Sequence, residues 1–261
     1  MPCVTTPAVD GGTGPGTPTV VATGMIANGL WTACERLGID HAAELLISAA
    51  DFVIRDLDRL AETDDMFCWS YRPGSRQAVL NATLKGSRLL AQAHELTGSP
   101  ELLEAAARSA RFVVSHQRPS GAWPYSLSDA RCDHFHTGYV LECLRAYRAF
   151  SDDASVDGAI ARGWSYYRRR LFTPELIPRY YDDRTEPLDA TACAQAIITL
   201  CEFGDLEAAT RVAEHALHRL ARGDGSFAYQ RRAGRTVSTP FLRWSTAWMY
   251  CGLSRYVAAM R

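Results

Sequence analysis

Residues 78–116 read AVLNATLKGSRLLAQAHELTGSPELLEAAARSARFVVSH. Apolar residues recur in both halves at i, i+3, i+4 and i+7, the period of a helix and not of a strand. Between the halves, Gly98-Ser99-Pro100 supplies a glycine suited to a left-handed C-terminal turn, a Ser N-cap and a proline at the first helical position. The stretch therefore predicts two helices joined by a tight turn. The first begins with small residues on all sides, and the second carries more charge.

The same device recurs along the chain. Gly38-Ile39-Asp40 and Gly204-Asp205 offer Asp as the cap, and Ser151-Asp152-Asp153 does so without glycine. Small-residue helix starts at Asn28, Asn81, His136, Thr191 and Trp244 are separated by 53, 55, 55 and 53 residues, which marks an internal repeat. Helices are expected over residues 21–36, 40–59, 78–97, 99–116, 135–151, 154–170, 190–203, 205–221 and 242–260. Small-sided helices pack closely around an axis, whereas those with Arg, Asp and Glu on one face belong outside. The expected fold is all-α, an α/α toroid of about nine helices whose ring is short, with a straight solenoid as the alternative.

Composition agrees with a globular protein. A chain of 261 residues and 28.8 kDa exposes roughly 11,000 Å² folded against about 42,000 Å² unfolded, enough for one sizeable core. Residues 1–18 mix Gly, Pro and Thr and read as a tail, leaving 19–261 as a single domain. A formal net charge of -1 argues against a nucleic-acid partner, and no run of 18 apolar residues argues for a membrane one. A homo-oligomer stays open. Eight cysteines without regular spacing read as reduced core thiols, and the Gly/Pro start lacks a signal-peptide pattern, so a cytoplasmic location is expected. Cys132, His134 and His136 are the one candidate zinc set, but their spacing is too close and lacks a distant partner; no metal or cofactor is expected.

The long loops share aromatics a fixed distance before the next inner helix. They are Phe67, Trp69 and Tyr71, then Trp123 and Tyr125, then Tyr180 and Tyr181, then Phe227 and Tyr229. If all open where inner helices begin, they ring a mouth with aromatic side chains and helix N–H groups. The densest polar cluster is Asp133-His134-Phe135-His136-Thr137-Gly138-Tyr139, in which Asp133 can orient His136 as a general base or merely cap the helix. His134 is expected to be exposed. Asp189 holds the equivalent place one repeat later, and paired acids are what glycoside chemistry uses. Arg243 beside Trp244 is the best placed of many loop arginines. Asp182-Asp183-Arg184-Thr185-Glu186 looks like the acidic DDxxE motif of terpene synthases but sits before Pro187 in a loop, and Glu62-Thr63-Asp64-Asp65 only approximates a second cyclase acid motif.

Two resemblances follow. Residues 108–123, RSARFVVSHQRPSGAW, are similar to the QW motif of terpenoid cyclases, with Gln117, Gly121 and Trp123 at its spacing; in that group the motif ties an outer helix to the loop behind it. More widely, Phe67 to Tyr71 with Asn81, Gly121 to Tyr125, Asp133 to Tyr139, Pro187-Leu188-Asp189, Ala194 to Ile197, and Arg243-Trp244 with Ala247-Trp248-Met249 resemble the VpsJ-like polysaccharide-biosynthesis proteins. That resemblance spans about residues 19–258 and departs from the family pattern at His134, Thr191 and Thr246. It implies a six-hairpin glycosidase-like toroid acting on sugar. The expectation is a carbohydrate-active enzyme using acid/base chemistry of hydrolase, lyase or epimerase type on an acidic or activated sugar. Asp133, His136 and Asp189 are the catalytic candidates, and Trp69, Tyr71, Asn81, Trp123, Tyr125, Tyr139, Tyr181, Arg243 and Trp244 the substrate-binding ones. A terpenoid cyclase and a non-catalytic glycan-binding module are the alternatives.

Overall fold

A computed structural model describes residues 16–261; the expected tail and Cys3 fall almost wholly outside them. Among the described residues run nine α-helices, α1 (Val20–Leu37), α2 (Asp40–Asp56), α3 (Leu80–Thr97), α4 (Pro100–Ser115), α5 (His134–Ser151), α6 (Asp157–Arg170), α7 (Ala190–Glu202), α8 (Leu206–Leu220) and α9 (Ala247–Ala259). Short strands accompany them: β1 (Arg59–Leu60), β2 (Cys68–Trp69), β3 (Leu188–Asp189), β4 (Gln230–Arg232) and β5 (Arg235–Val237). No described helix is long and apolar enough to cross a membrane.

The differences from expectation are local. The helix expected to reach 59 stops at Asp56, because Arg59 pairs with Trp69 and Leu60 with Cys68 in an antiparallel ribbon. Asn28 lies midway along α1, whose start is Val20 with Thr19 as its cap, so the first repeat mark was misplaced. The last expected helix opens with a π-helical turn, Leu242–Thr246. Gly38, Gly98 and Gly204 take the left-handed conformation at the tight joints. Asp205 caps α8 through the Ala208 N–H, but Asp40 is already helical, with Ile39 in the cap place. Asp40 instead sets its charge against the positive end of α2.

The chain divides into two compact units. The first comprises residues up to Gln117, Pro124–Ala130 and Cys143–Ile160; the second comprises Arg118–Trp123, Arg131–Glu142 and Ala161–Arg261. In the first, α1 meets α3 so closely that a Cβ on Gly24 would stand 2.9 Å from Lys85 Cβ, and α3 is buried on every side from Leu80 to Ala93. In the second, α5 meets α7 at Gly138, where a Cβ would lie 2.7 Å from Gln195 Cγ. α7 is buried throughout from Ala190 to Leu200, while α8 shows water one charged face. These are the inner and outer roles the small and charged residues imply.

One hydrogen bond repeats at each inner-helix start. The N–H of Val20 donates to the Tyr71 carbonyl and that of Leu80 to Tyr125 in the first unit; His134 donates to Tyr180 and Ala190 to Tyr229 in the second. Each bond satisfies an N–H that the helix leaves without an intrahelical partner. Each long loop thus returns to the N-terminal end of an inner helix, as the spacing of aromatics implies. The residue that marks the register in the third loop is Tyr180, not Tyr181.

Candidate functional site

The second unit builds its polar site from the first turns of α5 and α7. Asp133 precedes α5, accepts the His136 N–H on Oδ1 at 2.8 Å and meets His136 Nδ1 with Oδ2 at 2.5 Å. Capping and orienting, alternatives at the level of sequence, are both performed by this one carboxylate. With Nδ1 held as donor to Asp133, Nε2 is the nitrogen that can exchange a proton. Tyr139, one turn further, is buried edge-on to both His136 and Trp248.

Asp189 precedes α7 in the same way, accepting the Ala192 N–H on Oδ1 at 3.0 Å. Its Oδ2 accepts from Gln230 Nε2 at 2.7 Å, because Asp189 and Gln230 are cross-strand partners on β3 and β4. Only 3% of Asp189 is exposed. Burial pushes its carboxyl up to about 6, against the lowering pull of Gln230, the Ala192 and Thr191 N–H groups and the Thr191 hydroxyl.

Tyr180 links the two turns. Its hydroxyl is pushed well above the usual range, first by burial and then by the negative charges of Asp189, Tyr181, Tyr229 and Asp133. The residue therefore feels both carboxylates. Asp133 also pairs with Tyr181 in an isolated antiparallel bridge, which seats the loop against the start of α5. Thr191 Oγ1 donates to the carbonyl of Trp244, bringing the π-helical turn to the start of α7. Arg243 lies over the Trp244 ring at 4.7 Å, and Trp244 is 51% exposed.

Seven of the candidates, Asp133, His136, Tyr139, Tyr181, Asp189, Arg243 and Trp244, are thus tied to these two helix starts. Tyr181 has its ring occupied by the guanidinium groups of Arg131 and Arg184. Two other candidates, and the expectation that His134 is exposed, need correction. Trp69 is fully buried edge-on to Phe67 and against Gly86, and Trp123 is 2% exposed with its ring against Gly163, so neither presents a face to a sugar. His134 is completely buried, with Nδ1 on the Leu171 carbonyl at 2.9 Å and Nε2 on the Tyr167 hydroxyl at 2.7 Å. Its place at the first position of α5 turns it inward, and burial pushes its imidazole down to about 4. Tyr71, Asn81 and Tyr125 belong to the first unit; Asn81 is buried there with Oδ1 lacking a partner.

The acidic pattern at 182–186 does not share a face. Asp182 accepts from the Tyr166 hydroxyl, Asp183 faces Arg184, and Glu186 accepts the Ala233 N–H. Cys132 Sγ meets Arg118 rather than the histidines. Among the described residues no group of three or more His, Cys, Asp or Glu is placed to hold a metal ion. Four of the seven described cysteines are buried; Cys34 and Cys201 are half-buried and Cys251 is exposed, so the expectation of core thiols holds only in part.

Sequence reasoning placed Tyr180 and Tyr229 among the mouth aromatics without naming them as site residues, and missed Gln230 and Trp248. The carbonyl register that singles out Tyr180 and Tyr229 is faintly visible in their spacing, but the pairing that delivers Gln230 has no sequence mark.

No protein-family model matches the chain, and no curated protein does. Among solved structures, the chain is similar to a cellobiose 2-epimerase from Bacillus thermoamylovorans B4167, at 14% identity over 92% of this chain and 73% of that one, with a TM-score of 0.72. It is likewise similar to an unsaturated glucuronyl hydrolase from Bacillus sp. GL1, at 15% identity over 93% and 73%, with a TM-score of 0.69. A third is the GH76 α-mannanase BT2949 of Bacteroides thetaiotaomicron, at 9% identity over 92% and 67%, with a TM-score of 0.67. The fold is the α/α toroid. At these identities the likeness establishes fold, and the resemblance to VpsJ-like proteins has no matching family model beside it.

Proposed function

We propose that the protein is a sugar-processing enzyme that works by acid/base chemistry on an acidic or activated sugar, with Asp189 and the Asp133–His136 pair as its proton-handling groups. Support comes from the solved structures of similar fold, which include an epimerase, a glucuronyl hydrolase and a mannanase. The observation that carries the reading is the buried carboxyl of Asp189, raised to about 6, with Tyr180 in the field of both acids. A carboxyl of that value is substantially protonated just below neutrality and can donate to a sugar oxygen. Asp133 and His136 supply the complementary base: the carboxylate fixes the imidazole and stabilises it when it takes up a proton. Trp244 offers an exposed ring for a sugar face and Arg243 a planar donor for a carboxylate or hydroxyl.

Asn caps a helix as well as Asp does, so Asp133→Asn and Asp189→Asn leave the helix starts intact while removing the titratable oxygen. With cellobiose, mannose and unsaturated glucuronyl disaccharides as substrates, each variant is expected to lose at least about 100-fold in turnover while remaining folded. Wild-type turnover in both folded variants overturns the assignment. Glycan binding by wild type without any turnover overturns catalysis in favour of a binding module.

A further inference from the structure

The ribbon that delivers Gln230 to Asp189 continues outward as a hairpin. β4 and β5 pair Gln230 with Val237, Arg231 with Thr236 and Arg232 with Arg235, closed by Ala233 (φ 45°) and Gly234 (φ 76°). Two positive φ values make this the tight two-residue turn that matches strand twist. Its tip is anchored, since both Glu186 carboxylate oxygens accept the Ala233 N–H, at 3.1 and 3.0 Å.

The register places two like charges opposite each other. Residues two apart on a strand share a face with each other and with their cross-strand partners, so Gln230, Arg232, Arg235 and Val237 lie on one face. Gln230 on that face touches Asp189. Arg232 and Arg235 are exposed and have no ion-pair partner among the described residues, and neither do Arg231 and Arg243. Elsewhere in this unit Arg168 pairs with Asp205, Arg222 with Asp224 and Arg255 with Glu202. Directly opposed like charges destabilise a ribbon, so a rigidly anchored hairpin that keeps such a pair is shaped for an anion between the two guanidinium groups. Along the strand Arg232 lies about 7 Å beyond Gln230, which puts that anion outside the sugar held at Asp189. Val237, 46% exposed and paired with Gln230, adds apolar surface on the same face.

We propose that Arg232 and Arg235 form an anion subsite that selects acidic oligosaccharides, binding a carboxylate or sulfate on the unit next to the one processed. This rests on the sugar reading of Asp189 and adds to it that the substrate is longer than one sugar and charged beyond the reacting unit.

The test compares wild type with Arg232→Gln/Arg235→Gln by calorimetric titration of three probes: a galacturonate tetrasaccharide, a heparin-derived tetrasaccharide and neutral cellotetraose. Wild type is expected to bind one anionic probe at least about 10-fold tighter than cellotetraose, the two anionic arms showing whether carboxylate or sulfate is read. The double variant is expected to lose that preference while keeping its affinity for cellotetraose. Equal affinity for neutral and anionic probes, or a preference untouched in the variant, overturns the subsite and leaves the sugar reading standing. Absence of binding to all three overturns both. As a measure independent of catalysis, Arg232→Glu is expected to raise the melting temperature without ligand by relieving the like-charge pair; a fall or no change counts against the subsite.

Discussion

Asp133 and Asp189 each cap an inner helix with Oδ1 and then spend Oδ2 differently. Asp133 gives it to an imidazole three residues on, on its own helix; Asp189 gives it to an amide on a distant strand. An imidazole can become a cation, and its Nδ1 stands 2.5 Å from the acid. An amide only donates, and Asp189, 3% exposed against 6% for Asp133, has its carboxyl raised by burial to about 6. The same cap in the same repeat position therefore faces an imidazole in one turn and an amide in the other, which under the proposed function makes a held base of the first and a poised acid of the second. What separates them is the partner of one oxygen.

A second contrast lies at the first helical residue, which is His134 in α5 and Ala190 in α7. His134 bonds a carbonyl through Nδ1, so Nδ1 carries the proton and Nε2 accepts from Tyr167, and the ring is neutral in the fold. Its value drops from 6.5 in the unfolded chain to about 4 in the folded one. The unfolded state then binds the extra proton first, so stability present above pH 6.5 is lost as pH falls toward 4, by about 3 kcal/mol. Urea midpoints at pH 7 and pH 4.5 should show this loss in wild type and a much smaller one in His134→Gln, whose amide can meet both partners. Equal losses would detach acid sensitivity from this residue.

For Asp189 the sign is reversed. Its value rises from 3.8 to about 6, so the stability it allows is full below 3.8 and falls as pH climbs through 6. Asp189→Asn should thus be more stable than wild type at pH 8, by about 3 kcal/mol, with no gain at pH 3.5. A variant that is both steadier and slower is what a site kept charged against its surroundings for function implies.

The repeat, the tight joints and both acids were legible in the sequence because helix periodicity, turn glycines and caps are local signals. Local signals also explain the failures. Trp69 and Trp123 sit in loops that look like a rim, yet each ring is received by a glycine, Gly86 or Gly163, far along the chain. His134 and His136 are two residues apart in one motif, and which of them faces the interior depends on where α5 begins, a boundary that sequence reading places within a few residues. Gln230 was invisible because β3 and β4 are 41 residues apart and only two or three residues long, too short for alternation to show.

That pairing is also where the contrast between the two acids can be tuned most finely. The Gln230 amide stabilises the charged form of Asp189 and so holds its value below what burial alone would set. Gln230→Leu removes the donor and leaves the cap bond to Ala192 in place, so the carboxyl should climb further. In the pH profile of kcat/KM, the limb belonging to Asp189 should move upward while the other limb stays put. If both limbs shift together, the two turns titrate as one coupled group and the division into a held base and a poised acid fails. If neither shifts, the amide is structural and the raised value of Asp189 owes nothing to the strand that reaches it.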